Sequence, residues 1–139
     1  MIELLGAVSV LSILTAVLLI RRRFLVVTVR GPSMEPTYHE GERVLVRRTP
    51  IDGISAGQVV VVEGSVRPHQ WIIKRAAALP GDLVPDEVAS AAKVAPGSRV
   101  PKNSLVLLGD NRARSADSRF VGYYAGDQLI GVVSRRMKV

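Results

Sequence analysis

The residue in this chain whose setting best suits chemistry is a serine held between two prolines. Ser33 lies in the segment Gly31-Pro32-Ser33-Met34-Glu35-Pro36, directly after an apolar run at residues 24–29. Proline fixes φ and restricts the residue before it, so the backbone around this hydroxyl is constrained. Gly31 allows a positive φ or a close approach to the backbone. A turn after a strand remains the ordinary interpretation, because a serine is inert at neutral pH unless a base accepts its proton.

Three residues are candidates for that base. His39 and His69 both lie in polar turns, where a histidine is usually solvated, so a Ser-His-Asp triad is possible but has no further support. Lys74 ends the apolar run Trp71-Ile72-Ile73. Burial disfavours the ammonium form and can lower the pKa of a lysine by roughly 3–5 units, which would make Lys74 a general base of the Ser-Lys type. On the local pattern alone, a lysine at a strand edge pointing into water is the alternative.

A third stretch, residues 109–119, combines two carboxylates, three arginines and two serines. It could be a solvated charged loop. However, it follows an apolar strand directly and begins with the rigid turn sequence Gly-Asp-Asn. Such a loop can pack on a site and present a fixed hydroxyl, with Asp/Arg pairs that hold its shape.

The N-terminal segment is long and apolar enough to span a membrane. Residues 4–20 contain no charge and no proline, and Arg21-Arg22-Arg23 follows. As a helix these residues span about 26 Å, close to the hydrocarbon thickness of a bilayer. A cleaved signal peptide would need basic residues before the segment and a small-residue cleavage site after it, and a core helix would be shorter or less uniformly apolar. The positive-inside rule favours a cytoplasmic location for the three arginines, and therefore for the rest of the chain.

The chain after the N-terminal segment consists of short runs rich in β-branched residues, separated by Gly/Pro turns. These runs lie at residues 24–30, 42–47, 58–63, 71–75, 104–108 and 127–133. The pattern predicts a mainly β fold of coiled antiparallel sheets or a partly open barrel, with one N-terminal transmembrane helix. Residues 86–93 predict a short helix capped by Asp86, inside a surface insertion that ends near residue 97. We predict a membrane anchor at residues 1–23 and one β-rich domain at residues 24–139.

Composition excludes several kinds of site. The 139 residues contain no cysteine and two histidines, which excludes a thiol nucleophile, a disulfide framework and thiolate zinc, and argues against a histidine-rich metal site. The net charge of +7 suggests nucleic acid or an anionic membrane surface as a partner. No aromatic-basic RNA signature accompanies it, so the sequence favours the lipid bilayer. We expect no cofactor, no metal and no nucleic acid.

The three stretches together resemble the type I signal peptidase family, the serine-lysine membrane proteases of the S26 type. The matching blocks are residues 31–37, residues 73–75 with 79–82, and residues 109–112 with 115–119, in the family's order behind an N-terminal apolar segment. The resemblance excludes about residues 84–97. The chain departs from many members in having Ala113-Arg114 where they have Asp-Asn, and it lacks the large insertion that some members carry after the position of Asp82.

The resemblance implies a role for each matching residue. Ser33 would be the nucleophile, Lys74 the general base, and the Ser33 N–H an oxyanion donor. Gly31 stands where some members place a serine whose hydroxyl is a second donor, and Ser115 would orient the lysine amine. The residues that would support the site are Asp110, Asn111, Asp117 and Arg119, with Asp117 and Arg119 paired.

The family binds its substrate as an extended strand between two flanking strands, here residues 28–30 and 71–73. Shallow pockets for small side chains would be formed by Val29, Met34, Ile72 and Ile73. The same apolar surroundings would desolvate Lys74, so pocket size and base strength would have one cause.

The resemblance therefore implies a membrane-anchored serine endopeptidase that cleaves signal peptides from exported preproteins after small residues. Its catalytic domain would lie on the outer face of the cell membrane, in conflict with the arginines after the apolar segment. Two alternatives remain: a maturation protease of the same family dedicated to one precursor, and a non-catalytic membrane-anchored β-domain that binds peptides or anionic lipid. The self-cleaving repressor proteases share the dyad, but they carry a DNA-binding helical domain that this sequence does not show.

Overall fold

The computed structural model describes residues 1–64 and 69–138, so residues 65–68 and 139 of the predicted domain lie outside the described residues. Within these described residues the regular structure consists of three α-helices, three single-turn 3-10 helices and seven strands. In chain order the α-helices and strands are α1 (Ile2–Arg23), β1 (Phe24–Thr28), β2 (Arg43–Arg48), β3 (Val59–Glu63), β4 (Trp71–Ala78), α2 (Asp86–Ala89), β5 (Ser104–Leu108), α3 (Ser118–Val121), β6 (Tyr124–Ala125) and β7 (Leu129–Met137).

Helix α1 projects from the body with its apolar side chains exposed. Its hydroxyls are satisfied within the helix, because Ser9, Ser12 and Thr15 each donate to the carbonyl four residues earlier. An 18-residue window within Leu4–Arg23 has a mean hydropathy of 2.3, and none of this window is buried against the rest of the protein. By length and composition it is the one helix in the described part of the chain that could cross a membrane. An exposed apolar surface of this length is compatible with the hydrocarbon core of a bilayer.

The strands form one antiparallel sheet in the order β1-β2-β7-β3-β4-β5-β6. Four steps of the order separate β1 from β4, yet residues of both line the same groove, so the sheet curls into an open half-barrel. Irregularities at residues 45/46, 61/62 and 76/78 interrupt the register of three strand pairs, which is how β-bulges bend a sheet. The predicted mainly β class with a partly open barrel is confirmed.

Alternation along β3 explains how the core divides. Val59 and Val61 belong to one buried cluster, with residues of β1 and β2, while Val60 and Val62 belong to another, with residues of β5 and β6. The four valines are therefore buried on both faces of the sheet, as the continuous apolar run predicted. On β2, Val44 and Val46 share one face and are fully buried. Arg47, the residue after Val46, is exposed.

The structure corrects several sequence-based boundaries. Strands β4 and β7 extend to residues 78 and 137, and the short strand β6 was not predicted. The prediction that Asp86 caps α2 was wrong, because Pro85 occupies the cap position and no side chain caps the helix, which is a single turn. The segment after it is also more than a surface insertion. Val84, Val88 and Val100 are buried in a third cluster against β4 and β5.

Candidate active site

The structure brings Ser33 and Lys74 into direct contact although they are 41 residues apart in the chain. The Lys74 Nζ donates a hydrogen bond of 2.9 Å to the Ser33 Oγ. Lys74 is 4% exposed and lies in β4, opposite Val60 of β3. The eight-residue strand β4 thus carries the amine into the interior, and the constrained turn after β1 presents the hydroxyl to it.

Burial governs the ionisation of Lys74. Desolvation lowers its pKa from the usual value, and the negative charge of Asp117 opposes that effect only in part. The neutral amine is therefore a larger fraction of the population near neutral pH than it is for an exposed lysine. A neutral amine can accept the proton of the hydroxyl that it contacts.

Asp117 is the fully buried carboxylate of the loop that follows β5. Burial alone would raise its pKa, but hydrogen bonds from the Arg119 side chain, the Gly109 N–H and neighbouring groups outweigh burial, so the pKa is lowered. The Gly109 N–H donates to Oδ2 at 2.9 Å, and the Arg119 Nε donates to Oδ1 at 2.9 Å. Arg119 also donates to the carbonyls of Arg112 and Ser115, which closes the loop around the carboxylate. The sequence-based pairing of Asp117 with Arg119 is present.

Ser115 is buried inside this loop. It lies near enough to Asp117 to help lower the pKa of that carboxyl, yet its Oγ completes no hydrogen bond of ordinary geometry within the described residues. A Cβ added at Gly109 would lie 2.1 Å from the Ser115 Oγ and 2.7 Å from the Ser33 carbonyl oxygen. Gly109 therefore separates Ser115 from the backbone of Ser33, and no larger residue fits between them.

A second carboxylate, Asp110, links the segments that carry the two reactive groups. Arg75, adjacent to Lys74, donates to both oxygens of Asp110 at 2.8 and 2.6 Å, and Thr37 donates to Oδ2 at 2.5 Å. The hydrogen bond from Arg75 is the largest cause of the lowered pKa of Asp110. The Asn111 N–H donates to the Ser33 carbonyl at 2.9 Å. The serine, the lysine strand and the loop are thus held in one hydrogen-bonded network.

Gly31 supplies a backbone conformation and no side-chain donor. Its φ is +73°, a value that L side chains rarely adopt. Its N–H points towards the Glu40 carboxylate at 3.4 Å, a long contact. Because residue 31 is a glycine, this position has no side-chain hydroxyl, as the sequence implies.

The four residues predicted to form pockets separate into two groups. Val29, Met34 and Ile73 are buried together in the cluster that includes residues of β1 and β2. Ile72 packs against the other cluster, because successive side chains of a strand point to opposite faces. The structure therefore does not bring Ile72 together with the other three.

A groove of about 520 Å³ opens between β1 and the start of β4. It is lined by residues Val26, Val27, Thr28, Arg30, His69, Gln70 and Trp71. The predicted substrate strands, residues 28–30 and 71–73, contribute to its two walls. Within the described part of the chain, no group of three or more histidine, cysteine or carboxylate side chains could hold a metal ion.

Sequence reasoning did not identify Thr37, Arg75 and Gly109 as site residues. All three lie in or beside the blocks that carry the resemblance, but each acts through a partner far away in the chain. Only the fold shows that Arg75 and Thr37 share one carboxylate.

Comparison with known proteins supports the family resemblance that the sequence motifs indicate. The model of the family described as signal peptidase, peptidase S26, matches residues 2–90 and 85–138. The chain belongs to this family. The resemblance inferred from three short blocks is thereby confirmed over nearly the whole chain, and the chain is a member of a protease family.

Individual members of the family show the extent of the similarity. Signal peptidase IB of Staphylococcus aureus is 31% identical over 172 aligned positions, which cover 96% of this chain and 89% of the relative. Signal peptidase I of Bacillus amyloliquefaciens is 30% identical over 151 positions, which cover 88% of this chain and 80% of the relative. A crystal structure of a signal peptidase I from Enterococcus faecalis is 24% identical, with a TM-score of 0.44, over 58% of this chain and 97% of that chain. Since the first alignment is longer than the 139 residues here, that relative carries insertions that this chain lacks.

Proposed function

We propose that this chain is a membrane-anchored serine endopeptidase that removes signal peptides from exported preproteins, with Ser33 as nucleophile and Lys74 as general base. The observation that carries the proposal is the 2.9 Å hydrogen bond between the buried Lys74 amine and the Ser33 hydroxyl. Membership of the signal peptidase family supports the choice of substrate. An exposed lysine could not act as a base near neutral pH, whereas a desolvated one can.

The reaction begins with the neutral Lys74 amine. The amine accepts the Ser33 proton while the Oγ attacks the scissile carbonyl, and the Ser33 N–H donates to the oxyanion that forms. The Lys74 ammonium then gives its proton to the leaving amine, and the C–N bond breaks. A water molecule, deprotonated by the same lysine, hydrolyses the acyl-enzyme and restores Ser33. By the family resemblance Ser115 would orient the lysine amine, and Asp117 acts on the amine through its charge.

The free strand edge of β1 can accept the substrate as an added strand. Val29 donates its N–H to the Glu42 carbonyl and accepts the Gly41 N–H, so its backbone groups face away from the groove. Because backbone groups alternate between the two edges of a strand, those of Thr28 and Arg30 face the groove.

The same reasoning applies to β4 on the opposite wall. The Gln70 carbonyl accepts the Gly64 N–H on the β3 side, so the backbone groups of Trp71 and Ile73 face the groove by alternation. Strand β5 pairs with β4 only from Arg75 onward, which leaves these groups free of a strand partner. An extended peptide could therefore pair with both walls at once, a β-augmentation mode.

Small residues at the cleavage site follow from the packing near Ser33. Val29, Met34 and Ile73 are nearly fully buried in one apolar cluster, and Met34 is the residue after Ser33. We infer that these side chains form a shallow apolar subsite beside the nucleophile. Such a site admits alanine and excludes larger side chains sterically.

We further propose that α1 anchors the chain in the membrane and that the β domain lies on the outer face of the membrane.

Peptide cleavage by the purified full-length chain tests the mechanism. The substrate carries small residues one and three positions before the scissile bond, and a matched peptide carries phenylalanine at the first of these positions. We expect cleavage of the first peptide only, and a loss of at least about 10³-fold in kcat for Ser33→Ala and for Lys74→Ala. Ser90→Ala and Lys102→Ala change exposed residues of the same types and should retain full activity.

Two results would contradict the proposal. If the wild-type chain cleaves neither peptide, the proposal that it is a peptidase is wrong. If Lys74→Ala retains full activity while Ser33→Ala loses it, the base is another group. Cleavage of one natural precursor among many would instead favour the dedicated maturation protease.

A further inference from the structure

Five arginines cluster where α1 enters the sheet, and the proposed chemistry uses none of them. Helix α1 ends at Arg23, and β1 begins at the next residue, Phe24, which lies opposite Arg47 of β2. Continuation of this register places Arg48 opposite the end of α1, and α1 contacts both β1 and β2. We call this group the basic collar. It consists of Arg21, Arg22, Arg23, Arg47 and Arg48.

The charges of the basic collar are not neutralised within the protein. All five arginines are exposed, and within residues 1–64 and 69–138 none of them forms an ion pair with a carboxylate. Other arginines of the domain do so. Arg75, Arg119 and Arg136 pair with Asp110, Asp117 and Glu42 respectively. Because like charges at short separation repel, the collar is set up to bind an anionic partner from outside.

The position of the collar identifies that partner. The exposed apolar surface of α1 ends at Ile20, and Arg21–Arg23 follow it. The collar therefore begins where the surface that suits the hydrocarbon core of a bilayer ends. If α1 spans a bilayer, these arginines lie at the level of the lipid headgroups. Arg47 and Arg48 lie on the β domain rather than on the anchor. For these two arginines to reach the headgroups as well, the domain itself must approach the bilayer surface.

We propose that the basic collar binds anionic lipid headgroups and docks the β domain on the bilayer through the end of the sheet formed by β1 and β2. The inference depends on the proposed membrane anchoring and adds the lipid class and a contact made by the domain. The arginine guanidinium matches phosphate oxygens in a bidentate manner, which suits phosphodiester headgroups.

Docking in this way would orient the groove. Strand β1 forms one wall with residues 26–28, only a few residues beyond the collar. The end of the groove at Val26 would then face the bilayer, and the end at Arg30, from which the chain continues to Ser33, would face away from it. A peptide that emerges from the membrane would enter at the collar end and extend along β1 towards the nucleophile.

Energy transfer to lipid measures this docking in the full-length chain. The sequence has no cysteine, so Pro50→Cys introduces a single site for a fluorophore, at an exposed position two residues after Arg48. The chain is reconstituted in vesicles of phosphatidylcholine alone or of equal parts phosphatidylcholine and phosphatidylglycerol, with an acceptor on a trace lipid headgroup. We expect greater transfer in the anionic vesicles, and loss of the difference near 1 M salt, where the Debye length falls to about 3 Å.

Removal of the two domain arginines separates this contact from the anchor. Arg47→Gln with Arg48→Gln should lower the docking equilibrium in anionic vesicles by about 30-fold, which corresponds to about fivefold for each arginine. The matched control is Arg43→Gln with Lys138→Gln, which removes two exposed charges at the other end of β2 and β7 and should leave transfer unchanged. Circular dichroism and peptide cleavage in detergent verify that the collar variant is folded.

The outcomes distinguish this inference from the proposed function. Equal transfer in the two kinds of vesicle, or transfer that the Arg47/Arg48 double substitution does not change, would overturn the docking proposal while α1 stays inserted. Failure of the chain to remain with vesicles after an alkaline wash would instead refute the anchor itself. Equal effects of the collar and control substitutions would show that net charge, and not the collar, attracts the bilayer.

Discussion

At the scale of single residues, the site depends on two charges with opposite tasks. Lys74 must lose its proton, and burial favours that loss. Asp117 must keep its negative charge, and Arg119 and the Gly109 N–H favour that charge despite burial. The carboxylate raises the pKa of the lysine, so the balance between desolvation and this attraction sets the pH at which the lysine becomes a base.

The first prediction concerns the pH dependence of peptide cleavage. Only the neutral amine accepts the Ser33 proton, so kcat/KM should fall about tenfold per pH unit below the lowered pKa of Lys74 and reach a plateau above it. A pH series with the small-residue peptide measures the acid limb. A rate that stays constant between about pH 6 and 9, or falls as pH rises through this range, is inconsistent with a lysine base.

Asp117→Asn should move this limb in a defined direction. The substitution removes the charge that raises the pKa of Lys74, so the limb should shift to lower pH even though the maximal rate falls. It also leaves Arg119 without its partner, which we expect to cost about 3 kcal/mol of unfolding free energy. Asp86→Asn, at an exposed carboxylate, is the control for both measurements. A shift to higher pH would show that Asp117 does not act on the lysine through its charge.

Gly109→Ala tests the close packing between Ser115 and Ser33. The added Cβ has no room beside either neighbour, so Ser115 or the Ser33 backbone must move, and a small displacement can lower kcat by about 100-fold. Gly6→Ala adds the same methyl in open space and should have no effect on cleavage in detergent. Normal activity of Gly109→Ala would mean that the site tolerates displacement of Ser115.

At the scale of elements, the sheet brings together groups that are distant in the chain. Strand β4 carries Lys74, the turn after β1 carries Ser33, and the loop after β5 carries Ser115. The sequence predicted six of the seven strands, because their valine-rich runs have β periodicity or continuous burial. It did not predict β6, a two-residue strand, or the buried packing of residues 84–100, because alanine, serine and proline there give no periodic signal.

The same limit applies to the site. Ser33, Lys74 and the loop could be found from short motifs, since their residue types carry chemistry. The contacts of Arg75 and Thr37 with Asp110 could not, because they depend on how β4, the Ser33 turn and the loop meet in space. Likewise, Ile72 and Ile73 point to opposite faces because they are successive residues of one strand. Only the folded sheet shows that Ile73, and not Ile72, joins Val29 and Met34.

Asp110 is expected to fasten these elements together in a pH-dependent manner. Its pKa is lowered in the folded chain, so it adds stability above the pKa of an unfolded aspartate, 3.8, and that stability is lost as pH falls through the folded value. Asp110→Asn should cost about 1 kcal/mol at pH 7, since Arg75 is partly exposed, and much less near pH 3. Thr37→Val removes one neutral donor and should cost about 1 kcal/mol. Thermal unfolding in detergent at both pH values measures these differences, and an equal cost of Asp110→Asn at both would exclude the ionic contribution.

At the scale of the whole molecule, the charge distribution and the family favour opposite topologies. Strand β1 continues directly from α1, so the β domain lies immediately beside any membrane that α1 crosses. The basic collar follows the apolar segment, whereas Met1-Ile2-Glu3 before it contains no basic side chain. By charge alone the domain would be cytoplasmic. By family, its substrates would be cleaved as they emerge on the other side.

Reporter fusions at the C-terminus decide between these topologies. If the β domain and its groove lie outside, as we propose, a reporter enzyme requiring disulfide formation should be active when fused after residue 139. A reporter that folds only in the cytoplasm should then be inactive. Headgroup binding offers the arginines of the collar a role on the outer leaflet if that leaflet contains anionic lipid, whose phosphates the guanidinium groups can bind. The same fusions without residues 1–23 should reverse both activities, and Arg21–Arg23→Gln should only strengthen the outer signal. If the cytoplasmic reporter is active in the full-length fusion, the three arginines dominate the topology, and the groove faces a compartment where an emerging signal peptide cannot reach Ser33.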